Sequence, residues 1–262
     1  MNSEKILTVS GLYAGYGKQE VVQDLTFALK RGEILCLAGE SGCGKSTILK
    51  ALMSSPEVSI SAGEISLCGT SLSDLTPRKR QSFCSGKIGM VFQNPGTSFN
   101  PIRSYRKQFM ETLKSHGKYD KNSFLKQIFE AFEKVELKDG ERILNLCPYA
   151  FSGGMNQRMA LALVMLLKQE VLLCDEPTSA LDATTGLSVA RELAALRDRN
   201  GISQIIVTHN LSLAGFLADR IGIMYHGKLV EIGTKDEVLY HPQHSYTKSL
   251  LEALPRIRKP KE

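Results

Sequence analysis

The stretch Gly39-Glu40-Ser41-Gly42-Cys43-Gly44-Lys45-Ser46-Thr47 combines three glycines with a lysine and hydroxyls, the residue types that hold phosphate. Glycines at 39, 42 and 44 permit backbone angles that a side chain forbids, so successive N–H groups can turn inward around an anion. Lys45 would then reach the β- and γ-phosphates of a nucleotide, and Ser46 would hold Mg²⁺. The apolar run Ile34–Ala38 before the loop and Ile48-Leu49-Lys50-Ala51-Leu52 after it read as a strand and a helix. That context places the loop at a helix N-terminus, where anions are favoured.

Other residues with chemical potential lie far along the chain. Val171-Leu172-Leu173-Cys174-Asp175-Glu176 is a continuous apolar run ending in two acids, the pattern of a central parallel strand. Two carboxylates at a strand end are costly unless a cation offsets them. A Mg²⁺ ion on a nucleotide would do so, with Asp175 binding it through water and Glu176 taking a proton from an attacking water. His209 follows the apolar run 204–208 and is either a structural residue or, if phosphates lie at that edge, a phosphate contact. Ser152-Gly153-Gly154 opens a helix as an N-cap and a bare-backbone anion site in one, and taken alone it reads as an ordinary cap with no ligand. Tyr16 could stack on a nucleotide base or pack on the surface. His241 and His244 are spaced like metal ligands but have no third partner in the sequence.

These residues need elements to carry them. Runs 6–9 and 21–29 are expected to be strands of a small antiparallel sheet, with Tyr13 and Tyr16 in the loop between them. Residues 45–53 have helical spacing, 63–68 is a strand, 76–85 a short basic helix, and 87–92 a buried strand ending in Gln93. Two prolines in 94–101 make that segment a boundary. From 104 to 135 the period becomes helical: Tyr105, Phe109 and Leu113 share one face, and Phe124, Ile128 and Phe132 share another, all expected to face a core. The chain continues with a helix from Phe151 to Lys168, the strand 171–176, a helix 184–200 and the strand 204–208. A hairpin of 221–225 and 228–232, split by His226-Gly227, precedes helices at 235–240 and 246–254.

At 262 residues the chain can bury a sizeable core. Its six cysteines stand singly, without a C-x-x-C pair, which argues against a zinc site or disulfide framework and for a reducing compartment. The most apolar segment, 159–167, falls far short of the roughly 20 residues a membrane span needs, and the N-terminus lacks a signal-peptide core. No crossing of a membrane by the chain itself is expected. Part of the net charge of +6 sits in Arg256-Ile257-Arg258-Lys259-Pro260-Lys261, read as a solvated tail or a contact for an anionic surface.

In this order the motifs resemble the nucleotide-binding subunits of ATP-binding-cassette (ABC) transporters, and the resemblance covers nearly the whole chain. It implies that 39–47, with Gly39, Ser41, Gly42, Gly44, Lys45, Ser46 and Thr47, is the Walker A loop. It implies that Gln93 is the Q-loop residue, which touches the metal, that Ser152, Gly153 and Gly154 belong to the signature, and that 172–176 is the Walker B strand. Asp182 falls in the D-loop, His209 is the switch histidine, and Tyr16 holds the place of the adenine-stacking aromatic. The signature departs from the usual pattern: Phe151 and Met155 replace leucine and glutamine, while Gln157-Arg158 is retained. Met155 resembles the branch serving peptide and nickel importers. Asn94-Pro95, Phe99-Asn100-Pro101 and His241-Pro242-Gln243-His244-Ser245-Tyr246-Thr247 resemble it too, although Ser245 replaces a proline. The absence of a cysteine-rich extension is more like the short nickel or metal-chelate subunits than the oligopeptide ones.

The resemblance implies an α/β fold: a P-loop NTPase, RecA-like core with a mainly parallel sheet, an N-terminal antiparallel β subdomain and an inserted α-helical subdomain. The expected division is 1–93 and 169–262 for the core and antiparallel strands, and 94–168 for the helical signature subdomain. It further implies ATP and Mg²⁺ as ligands, Glu176, His209 and Gln93 as catalytic residues, and Ser46, Gln93 and Asp175 at the metal. The expected partners are a second ATPase subunit, identical or different, transmembrane permease subunits and an extracellular solute-binding protein. The expected place is the cytoplasmic face of the cell membrane, as a peripheral protein, with no nucleic acid bound. The competing class is a soluble cassette ATPase acting on nucleic acid or the ribosome, which usually carries a second cassette, coiled coil or zinc insert. A third is a GTPase or small-molecule kinase, but no guanine-reading N-K-x-D follows His209.

Overall fold

A computed structural model describes residues 4–92, 98–179 and 181–253. In chain order the elements are β1 (Lys5–Tyr16), β2 (Gln19–Lys30), β3 (Ile34–Ala38), α1 (Lys45–Leu52), β4 (Ser59–Leu67), β5 (Thr70–Ser71), α2 (Pro77–Lys87) and β6 (Ile88–Val91). Four helices follow: α3 (Tyr105–Ser115), α4 (Phe124–Lys134), α5 (Gly140–Asn145) and α6 (Gly153–Leu167). The remainder is β7 (Val171–Asp175), α7 (Ala183–Asn200), β8 (Ser203–Thr208), α8 (Leu211–Leu217), β9 (Arg220–Tyr225), β10 (Lys228–Thr234), α9 (Lys235–Tyr240) and α10 (Ser245–Glu252).

Contacts group the chain into two units, Met1–Gln81 with Ser203–Glu262, and Ser82–Ile202. In the first, β1 pairs antiparallel with both β2 and β4, and β5 extends β4. The expected loop around Tyr13 and Tyr16 is instead strand: β1 runs to Tyr16, and only Gly17-Lys18 separates it from β2. The register shifts between Val9 and Leu12, where Gly11 takes φ +54°, so the glycine makes a bulge and the buried Leu12 and Ala14 resume the sheet. At Gly63 (φ +90°) a Cβ would lie 2.3 Å from the Gly11 carbonyl, so bare backbone is required where β4 crosses that bulge.

The same unit contains a second set of strands. β3 is buried along its whole length and lies parallel to both β8 and β9, while β10 pairs antiparallel with β9. A strand covered on both faces reads as an unbroken apolar run, which is why Ile34–Ala38 shows no alternation. Asp219 accepts from the Ile34 N–H at 2.8 Å, and Glu33, 6% exposed, pairs with Arg220 at 3.2 Å.

In the second unit β6 lies parallel to β7, with Val91 opposite Cys174. The helical period of 104–135 resolves into α3 and α4, and the six predicted core residues are all buried. Tyr105, Phe109 and Phe132 meet edge to face, with centroids 6.1 Å apart in each successive pair. Each such side chain contributes about 1.5–3 kcal/mol by burial. The sequence reading omitted α5 and α8. The first has six residues, too few to show a period, and the second has seven, capped by Asn210 accepting from the Leu213 N–H at 3.1 Å. These findings give the expected α/β fold with an antiparallel sheet and a mostly parallel one.

Candidate nucleotide site

The loop between β3 and α1 is built of bare backbone. Gly42 and Gly44 take φ +83° and +102°, and Gly44 is the N-cap of α1 with no side chain closing the first turn. A Cβ at Gly39 would lie 2.3 Å from the Met224 carbonyl, and one at Gly44 would lie 3.2 Å from Val22 Cγ2. Lys45 crosses the loop: Nζ donates to the carbonyls of Gly39 at 2.7 Å and Glu40 at 2.8 Å. A turn of backbone at a helix N-terminus, holding an ammonium, is a donor set that fits a polyphosphate. Ser41 and Ser46 are exposed at this turn, whereas Thr47 is buried.

Cys43 lies inside the loop and is 7% exposed. Burial pushes its thiol above the usual range, while the Lys45 ammonium pulls it back. Tyr16, 39% exposed, accepts from Thr47 Oγ1 at 3.4 Å, and Lys50 Nζ stands 5.5 Å from its ring centroid. The sequence reading placed Lys50 in the helix after the loop without giving it a role; its amine pairs with Glu57 at 2.7 Å, a partner that could not be read from spacing alone.

Parallel pairing brings a second residue to the loop. Ala38 is the register partner of Thr208, so Gly39 and His209 follow side by side at the carboxyl edge of β3 and β8. His209 is exposed, and Thr208 Oγ1 accepts from the Asn210 N–H at 3.0 Å to turn the chain there. The spaced histidines form no metal cluster: His244 Nδ1 accepts from the Tyr246 N–H at 3.2 Å, and no group of three or more ligating residues occurs among the described residues.

The second unit carries the acids and the glycine-rich helix start. β7 ends at Asp175, and Glu176 adopts the left-handed conformation with φ +45°. Its carbonyl accepts from Ser179 Oγ at 3.0 Å. A non-glycine residue in that region costs of order 1–3 kcal/mol and is often found at functional turns. Gln93, two residues beyond the end of β6, lies outside the described residues, as do Asn94-Pro95 and the basic tail. Ser152 caps α6, accepting from the Met155 N–H at 3.4 Å. Gly154 is bare because a Cβ there would lie 2.6 Å from Thr185 Cγ2. Asp182 caps α7, accepting from the N–H groups of Thr184 and Thr185 at 3.1 and 3.0 Å, and from Thr185 Oγ1 at 2.6 Å. The hydroxyl bond, then the amide bonds, hold its carboxyl below the usual range.

Arg158 of α6 ties these helices together. Its Nε stands 2.8 Å from Glu192, and its Nη2 donates to Ser188 Oγ at 2.8 Å and lies 3.7 Å from Glu136. Burial, opposed by Arg158, pushes the Glu192 carboxyl up from 4.5 to about 7. The folded chain therefore keeps a proton that the unfolded chain releases, and this stability, full below about 4.5, is lost as pH rises towards about 7. Urea unfolding at pH 5 and pH 8 should show Glu192→Gln gaining on the wild type by on the order of 1–3 kcal/mol at the higher pH. An equal gap at both pH values would contradict the burial argument.

A nucleotide-type loop after β3, on parallel strands with a helix start of Ser-Gly-Gly elsewhere, defines a P-loop ATPase of the cassette class. The ABC transporter family matches residues 22–179, and the C-terminal region of oligopeptide/dipeptide transporters matches residues 230–262. The chain belongs to the ABC transporter family. It is an ATP-binding subunit, and its activity is ATP hydrolysis coupled to transport. It is 35% identical to the dipeptide transport ATP-binding protein DppD of Lactococcus lactis over 98% of this chain and 76% of that one. With the metal-staphylopine import system ATP-binding protein CntD of Staphylococcus aureus the identity is 38%, over 91% of this chain and 89% of the relative. Among solved structures, the dimeric ATP-binding cassette MJ0796 bound to ADP and Pi superposes with a TM-score of 0.75 at 25% identity, covering 87% of this chain and 98% of that one. The cbiO1 subunit of Clostridium perfringens, part of a cbiONQ complex, gives 0.80 at 24%, covering 97% of each chain, and speaks to the fold alone.

Proposed function

We propose that this subunit energises an importer of peptides or metal chelates by binding and hydrolysing ATP as one half of a head-to-tail pair of cassettes. The observation that carries the ATPase reading is the Ala38–Thr208 register, which sets His209 beside a loop already holding an ammonium. The importer branch is supported by the match of 230–262 to the peptide-transporter C-terminal region and by relatives named for dipeptide and metal-staphylopine systems.

In this reading the amides of 39–47 and Lys45 bind the phosphates, and the Tyr16 ring stacks on the base. Ser46, Gln93 and Asp175 would hold Mg²⁺, which would neutralise phosphate charge when bound. Glu176 accepts a proton from the attacking water, and His209 holds the γ-phosphate. Ser152, Gly153 and Gly154 of the facing subunit bind the same γ-phosphate, with Asp182 at the seam between the subunits. Closure of the pair is then favoured by ATP through its higher affinity for the closed state. The partner cassette is a second copy or a related chain, and permease subunits receive the motion. Loaded solute-binding protein completes the system. No described helix is long and apolar enough to cross a membrane, so attachment to the cytoplasmic face is assigned to the permease contact.

Cys43 provides a local check. Bound ATP is expected to slow its alkylation several-fold, read by peptide mapping, and labelling that ignores nucleotide would contradict the loop's role. The function itself is tested by assembling the chain with membrane subunits in vesicles. ATP hydrolysis should rise when loaded solute-binding protein is added; stimulation by DNA or ribosomes instead would favour the soluble class.

A further inference from the structure

The connection 146–152, between α5 and the glycine-rich start of α6, is held at four points by Tyr105 and Asn156. The Tyr105 N–H, at the start of α3, donates to the Leu146 carbonyl at 3.0 Å, and its ring meets that of Phe151 with centroids 5.6 Å apart. Asn156, in the first turns of α6, donates through Nδ2 to the Pro148 carbonyl at 3.3 Å, and its N–H donates to the Ser152 carbonyl at 3.0 Å. The two holders are joined to each other, because the Tyr105 hydroxyl donates to Asn156 Oδ1.

Chemistry fixes the roles within this network. A carbonyl only accepts, so Pro148 must receive the NH₂ end of Asn156, which leaves Oδ1 for the phenol. Burial pushes the Tyr105 phenol above the usual range, so it keeps its proton and serves as the donor. Both residues are buried, in an aromatic cluster where the Phe99 ring meets Tyr105 edge to face at 4.9 Å. Phenylalanine at 105 and leucine at 156 would fill the same space without burying polar atoms, and asparagine is the poorer helix former. What the polar pair adds is a single defined arrangement of the chain entering α6.

We propose that Tyr105 is a positioning residue for hydrolysis: through Asn156 it fixes the turn that presents Ser152, Gly153 and Gly154 to the nucleotide of the facing subunit. The inference rests on reading that turn as the phosphate contact of the closed pair, and Ser152→Arg, which crowds the exposed turn, tests that reading separately. With the full chain assembled with its membrane subunits in vesicles, Tyr105→Phe should lower kcat about threefold to tenfold, the range for one hydrogen bond. The Kd of the chain alone for Mg-ATP should stay at the wild-type value, because the turn acts on the other subunit's nucleotide. A raised Kd would overturn the proposal, as a general loss of structure. The Asn156 oxygen, left buried and unpaired, should also lower the melting temperature of Tyr105→Phe. Adding Asn156→Leu removes both polar ends, while the Pro148 carbonyl keeps the Phe151 N–H at 3.1 Å. That double variant should regain the wild-type melting temperature with kcat still low. Recovery of kcat along with the melting temperature would overturn the proposal, by making the pair merely structural. Wild-type kcat in Tyr105→Phe while Ser152→Arg abolishes hydrolysis would also overturn it, and leave the role of the turn standing. Unimpaired hydrolysis in Ser152→Arg would overturn both readings.

Discussion

Glu176→Gln is expected to bind ATP as tightly as the wild type and to hydrolyse it about 10²–10⁴ times more slowly, the range for losing a general base. The substitution is nearly isosteric and keeps the left-handed turn at Glu176, whose carbonyl is held by Ser179. What it removes is the carboxylate proposed to accept a proton from water. Because ATP binding survives, the variant should accumulate with uncleaved nucleotide, measurable as retained ATP after rapid gel filtration. Wild-type turnover in this variant would move the base to another residue, with His209 next in line by its position at the edge of β8.

Lys45→Ala is expected to weaken ATP binding on the order of 10²–10⁴-fold. Two effects coincide. The ammonium that would meet the phosphates disappears, and so do the two bonds by which Nζ closes the loop onto Gly39 and Glu40. Charge-assisted hydrogen bonds are worth about 1.5–3 kcal/mol each, so losing two lowers affinity on the order of 10²–10⁴-fold. Calorimetric titration of the folded variant with Mg-ATP measures this directly. An unchanged Kd would show that 39–47 is a structural turn.

Much of this was legible in the sequence because it depends on local chemistry. The glycine spacing of 39–44 reports backbone angles, the unbroken run Ile34–Ala38 reports a strand covered on both faces, and Tyr105, Phe109 and Phe132 report helical faces turned to a core. Misreadings occurred where tertiary pairing overrides local signals. Gly11 looks like the start of a loop, but a bulge absorbs it, and pairing with β2 and β4 carries β1 on to Tyr16. Short helices such as α5 and α8 are made by caps and packing at a length where periodicity has nothing to count. The seat of Lys45 on Glu40 and the packing of the β9–β10 turn on the loop were illegible for a further reason. The first is a folded-back side chain five residues from its acceptor, and the packing of the β9–β10 turn on the loop joins residues nearly two hundred positions apart in a way that only the fold determines.

Asp182 shows how a motif and a structural role can share one side chain. Its carboxylate is occupied in capping α7, so any contact across a subunit seam must use its remaining acceptor capacity or its backbone. Ser152 is similar: its hydroxyl already caps α6 by accepting from the Met155 N–H.

The central claim is that Lys45 and Asp175 act on one metal–nucleotide complex, and electron paramagnetic resonance of Mn²⁺ tests it most directly. With ATP present, the wild-type chain should convert free Mn²⁺ into a bound signal at one ion per nucleotide. Lys45→Ala should abolish that signal, and Asp175→Ala should weaken Mn²⁺ retention while leaving metal-free ATP able to bind. Wild-type Mn²⁺ retention in Asp175→Ala would contradict the account, because the acid at the end of β7 would then have no part in holding the nucleotide's metal.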